Sequence, residues 1–330
     1  MKILLSILLA AALGFALGRS SPALAHHGGV SLTLGAGSPM ETASPLTLPE
    51  GGLVASARME YAPFRKFAFA EPENKDSFTF YSLSFIYGFR PYLSTGIVVP
   101  YAVKTQDTFG TNQGLGDLGL NIMLGFHHEP GKGFRLNRAE DTAVALDNVR
   151  KTYLALTGNV TFPTGKNDLA LGGEVAPDMQ PGFGSPSFTL GISTLKQLTR
   201  DFGLLAETSY QLFTEKDHFK FGNEWRLNAA GVYELYGRAG AFLQTVNGIL
   251  ELNLLHLSPD TENGQAARAS GGTILYLSPG LRFSFPGIQN ANLGVAMKFP
   301  ILKNLNDESE QQGTEGLEQY RLVMTWSFFF

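Results

Sequence analysis

The stretch EQYRLVMTWSFFF at 318–330 alternates so strictly that an extended strand is the one local structure it fits. Tyr320, Leu322, Met324, Trp326, Phe328 and Phe330 share one face of that strand, and Arg321, Val323, Thr325 and Ser327 share the other, with Phe329 alone out of step. In water a strand with this aromatic tip would template aggregation. Facing lipid, it supplies the apolar band and the interfacial girdle of a membrane barrel. Phe330 is the expected contact with outer-membrane lipid and with the machinery that assembles such barrels.

Similar segments recur at 53–61, 78–88, 92–103, 115–126, 151–162, 187–198, 202–214, 220–234, 238–253, 273–285, 291–302 and 318–330. The expected fold is therefore all-β, a transmembrane antiparallel up-and-down β-barrel of about twelve strands. Long connections at 62–77, 104–114, 163–186, 254–272 and 303–317 alternate with short ones at 89–91, 199–201, 236–237 and 286–290. That rhythm fits long external loops and short periplasmic turns, which a soluble sandwich has no reason to show. Two connections depart from it, the short 215–219 on the outside and the long 127–150 on the periplasmic side, where AEDTAVALDNVR has the composition of a short helix.

The first 25 residues read as a secretory signal peptide, with Lys2, an apolar run over 3–17 and the small-residue box Ala23, Leu24, Ala25. The run is short for a spanning helix of about 20 residues. Its removal takes two basic residues and no acids, leaving 23 basic against 29 acidic residues, so nucleic-acid binding has no support. There are no cysteines to staple a secreted chain. With 38 glycines, 25 phenylalanines, 11 tyrosines and only 16% charged residues, the composition suits a barrel in lipid. The expected organisation is a signal peptide at 1–25, an extension at 26–50 acting as a periplasmic tail or a plug, and the barrel at 51–330, in the outer membrane of a Gram-negative cell.

Strand parity sends the apolar set to lipid and turns Arg58, Glu60, Asp117, Asn121, Asn159, Thr161, Glu207, Gln211, Glu224, Arg226, Arg282, Lys298 and Arg321 inward. A basic side chain facing mid-bilayer lipid would cost about 2–4 kcal/mol, so the segregation of charge to one parity supports these strands. Such side chains either line a polar path for small solutes or pair across a sealed interior.

Four patterns suggest other chemistry. GLGDLG at 114–119 fits the dinucleotide fingerprint, but a polar loop precedes it and a period-two strand follows, the wrong context for a pyrophosphate loop. TFPTGK at 161–166 lacks the earlier glycine and the following hydroxyl of a phosphate loop. His218 and His256 are the candidates for a Ser-His hydrolase, but nothing in their neighbourhood favours one, so no catalytic residue and no cofactor is expected. His26, His27, His127 and His128 all fall on the expected periplasmic side and form a candidate metal site, although adjacent histidines have no fixed ligand geometry.

Taken in order, GSPMETASPLTLPEGG, QGLGDLGLNIMLGF, LTGNVTFPTGK, FKFGNEWRLNAAGVYEL, YLSPGLRFSF with NLGVAMKFPIL, and the aromatic end resemble the MetA-pathway of phenol degradation family. These are outer-membrane barrels described as transporters, and the resemblance covers nearly the whole chain after residue 25 except 127–150. It implies an outer-membrane channel for passive uptake of small molecules, aromatic or hydrophobic ones included. The rival expectation is a sealed structural or metal-handling barrel.

Overall fold

In the computed structural model one antiparallel sheet closes on itself into a twelve-position barrel. It describes residues 38–66, 74–107, 109–143, 149–173, 175–267, 269–288, 290–307 and 318–330. The expected signal peptide at 1–25, and His26 and His27, lie outside these residues. The strands are β1 (Leu53–Pro63), β2 (Lys75–Arg90), β3 (Leu93–Gln106), β4 (Gly110–Leu115), β5 (Leu118–Glu129), β6 (Gly133–Leu136), β7 (Thr152–Phe162), β8 (Ser187–Gln197), β9 (Phe202–Phe213), β10 (Phe219–Lys220), β11 (Glu224–Gly237), β12 (Thr245–Leu257), β13 (Thr261–Glu262), β14 (Gln265–Ala266), β15 (Gly272–Phe285), β16 (Ala291–Leu305) and β17 (Arg321–Phe329). Sequential neighbours pair around the ring, and β1 joins β17 in a register running from Val54↔Phe329 to Tyr61↔Leu322. β4 and β5 share one position, both beside β3, and β6 folds back on the periplasmic end of β5. β10, β13 and β14 make a small separate sheet among the loops between β9 and β15.

Alternation in the sequence becomes alternation of burial. Along β5, Leu118, Leu120 and Ile122 are exposed toward lipid, while Gly119, Met123 and Gly125 turn inward. No described helix is long and apolar enough to cross a membrane; the strands do the crossing. Aromatic pairs such as Tyr87 with Phe89, Phe202 with Tyr233 and Trp326 with Phe328 mark the periplasmic rim of the apolar band, and Tyr210 and Trp225 stand near the outer rim. Phe329, the residue out of step, turns inward and packs against Leu48, Val54 and Ile86.

Several boundaries differ from the sequence expectation. β11 continues to Gly237 and β12 begins only at Thr245, so the periplasmic turn is 238–244 rather than 236–237. A bulge between Glu234 and Tyr236 shifts the pairing and hides this strand end from a period-two reading. The connection 104–114 is mostly a tight hairpin, with Thr105 opposite Thr111. Of the helix expected within 127–150, Ala139–Asp141 forms a single 3-10 turn, and 144–148 lie outside the described residues.

The two glycine motifs meet each other instead of a nucleotide. GLGDLG spans the break between β4 and β5, and the Asp117 carboxylate accepts the N–H groups of Gly165 (2.8 Å) and Phe183 (2.6 Å). A β-carbon on Gly165 would lie 2.6 Å from the Gly116 carbonyl carbon, and one on Gly116 would lie 2.8 Å from the Pro181 oxygen. Neither position has room for a larger residue, and so the 163–186 loop lies against the break. Lys166 also donates its N–H to Leu115 O beside β4 (3.2 Å), where the loop takes the place of a neighbouring strand.

Candidate functional site

Each inward strand position must either pack, meet water or meet another piece of chain. Here the chain supplies its own filling. Residues 39–48 are buried inside the barrel, and none belongs to a strand. The segment has no apolar period of its own, so its hold on the wall comes from polar groups at particular points.

Its backbone is gripped from one side of the wall. Glu251 of β12 accepts the N–H groups of Met40 (2.8 Å), Glu41 (3.1 Å) and Thr42 (2.8 Å), and the Thr42 hydroxyl as well. Three consecutive amides converging on one carboxylate form a small anion nest, here turned toward the wall. Glu207 of β9 accepts the Ala43 N–H (2.8 Å) and an amide hydrogen from Asn228 (2.9 Å). Arg282 of β15 donates to Ser38 O (3.0 Å).

The adjoining arc of the wall, β16, β17 and β1, holds the Glu41 side chain. Arg58 of β1 donates to Glu41, to the Met40 carbonyl and to Glu60 (2.7 Å), while Lys298 of β16 donates to Glu41 (3.0 Å). Arg321 of β17 closes the chain of charges, donating to Glu60 (3.0 Å) and Glu318 (2.7 Å). Three cations and three carboxylates thus alternate in one buried network. Charge-assisted bonds are short and strong, and each partner is costly to strand at this depth.

Below this level the segment is wedged. Leu46 packs with Tyr153, Leu195, Leu205 and Ala230. Thr47 O accepts from the Ala143 N–H (3.0 Å), the Thr47 hydroxyl accepts from Asn137 (3.2 Å), and Leu48 N–H donates to Ser94 (2.9 Å). The long periplasmic connection therefore folds under the barrel and braces the segment. Above the charges Phe64, Phe78 and Phe80 cluster with Met179 of the 163–186 loop, and the Lys104 ammonium lies 4.4 Å from the Phe78 ring centre. At the outer rim Lys66 bridges Asp76 (3.3 Å) and Asp107; partial burial lowers its pKa, and the two carboxylates outweigh burial and leave it raised.

Arg58, Glu60, Glu207, Glu224, Arg226, Lys298 and Arg321 are all buried on the inner face. Glu224 pairs with Arg226, and Gln211 donates to Ser187 (3.0 Å). Asn121 is half-buried on the same inner face, opposite Asn159. Asp117 stands apart at the loop anchor. Glu41, Lys104, Glu251 and Glu318 were missing from the sequence-based set. Lys104 and Glu251 carry the inward parity, a signal that was available; Glu41 lies in a segment with no period and had none.

The histidine pair diverges. His127 is buried with Nδ1 3.1 Å from an Asp141 oxygen, and Asp141 also binds Lys151. His128, one residue on, projects to the other face and lies against Phe134 with the rings tilted and their centres 4.9 Å apart. Adjacent strand residues point oppositely, so the two cannot ligate one ion. No cluster of three or more potential metal-ligating residues occurs among the described residues. His218 sits in the tight turn before β10, and His256 faces outward with Nδ1 2.8 Å from the Thr273 hydroxyl.

A closed twelve-position barrel with a lipid-facing apolar band and a charged, chain-filled interior is an integral outer-membrane protein. The family described as "Putative MetA-pathway of phenol degradation" matches residues 76–310, and the chain belongs to that family. Among solved structures it resembles the COG4313 outer membrane channel from Pseudomonas putida F1, with a TM-score of 0.62 and 14% identity over 87% of this chain and 98% of that one. Looser similarities are to the NanC porin (TM-score 0.43, 8% identity, covering 83% and 98%) and to a Pseudomonas aeruginosa FadL homologue (TM-score 0.41, 11% identity, covering 95% and 99%). Comparison with curated protein sequences found no match.

Proposed function

We propose that this protein is a passive channel for small molecules across the outer membrane, with aromatic and hydrophobic solutes in its range. One observation carries the reading: the lumen holds residues 39–48, a buried stretch of chain bound to the wall through side-chain hydrogen bonds and sharing no strand pairing with it. A barrel that only needed a packed interior would fill it from its own strands, as eight-stranded barrels do. Here a displaceable element occupies the space a solute would take. The similarity to a barrel described as a channel supports the same reading. No catalytic role is assigned to any residue. Outer-membrane lipid surrounds the wall, and Phe330 at the periplasmic rim is the proposed contact with the assembly machinery.

The second reading is a sealed barrel, favoured by the burial and pairing of the interior charges. Liposome swelling separates the two. Vesicles carrying the purified protein should swell in small neutral solutes faster than empty vesicles, with the rate falling as solute size rises. Swelling no faster than in empty vesicles, for both polar and aromatic solutes, would support the sealed barrel.

A further inference from the structure

The Met40–Glu41 pair is more than a wedge. Its carboxylate sits between Arg58 and Lys298, and its neighbour's thioether side chain packs with Ile249, Ala296 and Val323. The Lys298 ammonium also lies 4.4 Å from the centre of the Tyr276 ring, and the Arg321 guanidinium 6.0 Å from that of Phe80. The wall therefore offers, side by side, two cations, an apolar patch and aromatic faces. In this structure a carboxylate and an apolar group of the chain itself occupy them.

The charge balance says what would replace that occupant. Arg58, Lys298 and Arg321 face Glu41, Glu60 and Glu318, so withdrawal of Glu41 leaves one positive charge unmatched in a buried place. A neutral solute cannot restore the balance; a monocarboxylate can. Geometry adds that the replacement needs an apolar body next to its carboxylate, to fill the volume Met40 leaves. We infer that Arg58 and Lys298, with the Ile249, Ala296 and Val323 patch, form a binding site for amphipathic monocarboxylates, and that Glu41 is a tethered competitor whose displacement loosens the plug. This rests on the channel reading for its purpose, but not for its chemistry. The competition shifts a two-state equilibrium, so the ligand needs only to favour the wall without Glu41 over the wall with it.

The chain has no cysteine, so Ala43→Cys places a unique thiol on the buried plug, at a residue outside the proposed site. The full-length protein carrying it is reconstituted in vesicles, and its labelling by a small maleimide is timed with benzoate, with hexanoate, and with benzamide as a neutral isostere. Benzoate or hexanoate should speed labelling about tenfold at saturation, the equivalent of one charge-assisted hydrogen bond, while benzamide should not. Adding Glu41→Gln should give fast labelling without ligand and little further gain with it. Equal effects of benzoate and benzamide, or none from any of the three, would overturn the proposal; this comparison stands even if the double variant fails to fold. Conductance recorded on the same protein keeps the two claims apart. Carboxylate-specific labelling without conductance refutes the channel and keeps the site, whereas conductance without carboxylate-specific labelling does the reverse.

Discussion

Arg321 illustrates how much rests on single side chains in this interior. Its guanidinium bridges Glu60 and Glu318, and both carboxylates are buried. Replacing it with methionine keeps the volume, takes from Glu318 the guanidinium it binds and leaves Glu60 with Arg58. The Arg321→Met barrel should therefore lose about 3–5 kcal/mol of stability, read from urea unfolding of protein refolded into vesicles. A loss below about 1 kcal/mol would mean that water reaches these carboxylates and screens them. That Arg321, Glu60, Arg58 and Lys298 face inward was legible, because alternation fixes a face. That they bind one another and Glu41 was not, because pairing between strands distant in sequence depends on register around a closed ring, and period two carries no information about register.

At the level of elements, the interior is built by three non-strand segments: 38–50, the 137–143 stretch beneath it and the 163–186 loop above. The loop hangs on Asp117, whose carboxylate takes two backbone N–H groups, each such bond contributing about 1.5–3 kcal/mol. Asp117→Ala should leave the barrel folded and free the loop, so that protease cleavage within 163–186 rises at least about tenfold, scored by fragment mass. An unchanged rate would show that the loop is held by its Met179 contacts instead. Strands were readable to within a few residues wherever alternation was clean, as in β5, β8 and β9. They were misread where a bulge resets parity, as at Glu234 and Tyr236. For 26–50 the sequence left a tail and a plug equally open, since the backbone polar groups of the buried part are satisfied by individual side chains such as Glu251 and Glu207 rather than by a repeating ladder.

For the molecule as a whole, strand direction and the long-short rhythm put the 163–186 loop outside and the β8–β9 turn in the periplasm. An epitope inserted in that loop should be labelled on intact cells, and one at 199–201 only after the outer membrane is permeabilised; the opposite pattern would invert the topology. On the channel proposal, segment 38–50 blocks a path rather than completing a solid core. Single-channel recording in planar bilayers, comparing the parent with a variant lacking residues 38–46, tests this most directly, with correct folding of both verified by heat-modifiable migration. Brief, infrequent openings are expected in the parent and a steady conductance in the shortened protein. A shortened barrel that folds and yet remains as silent as empty bilayer would contradict that proposal.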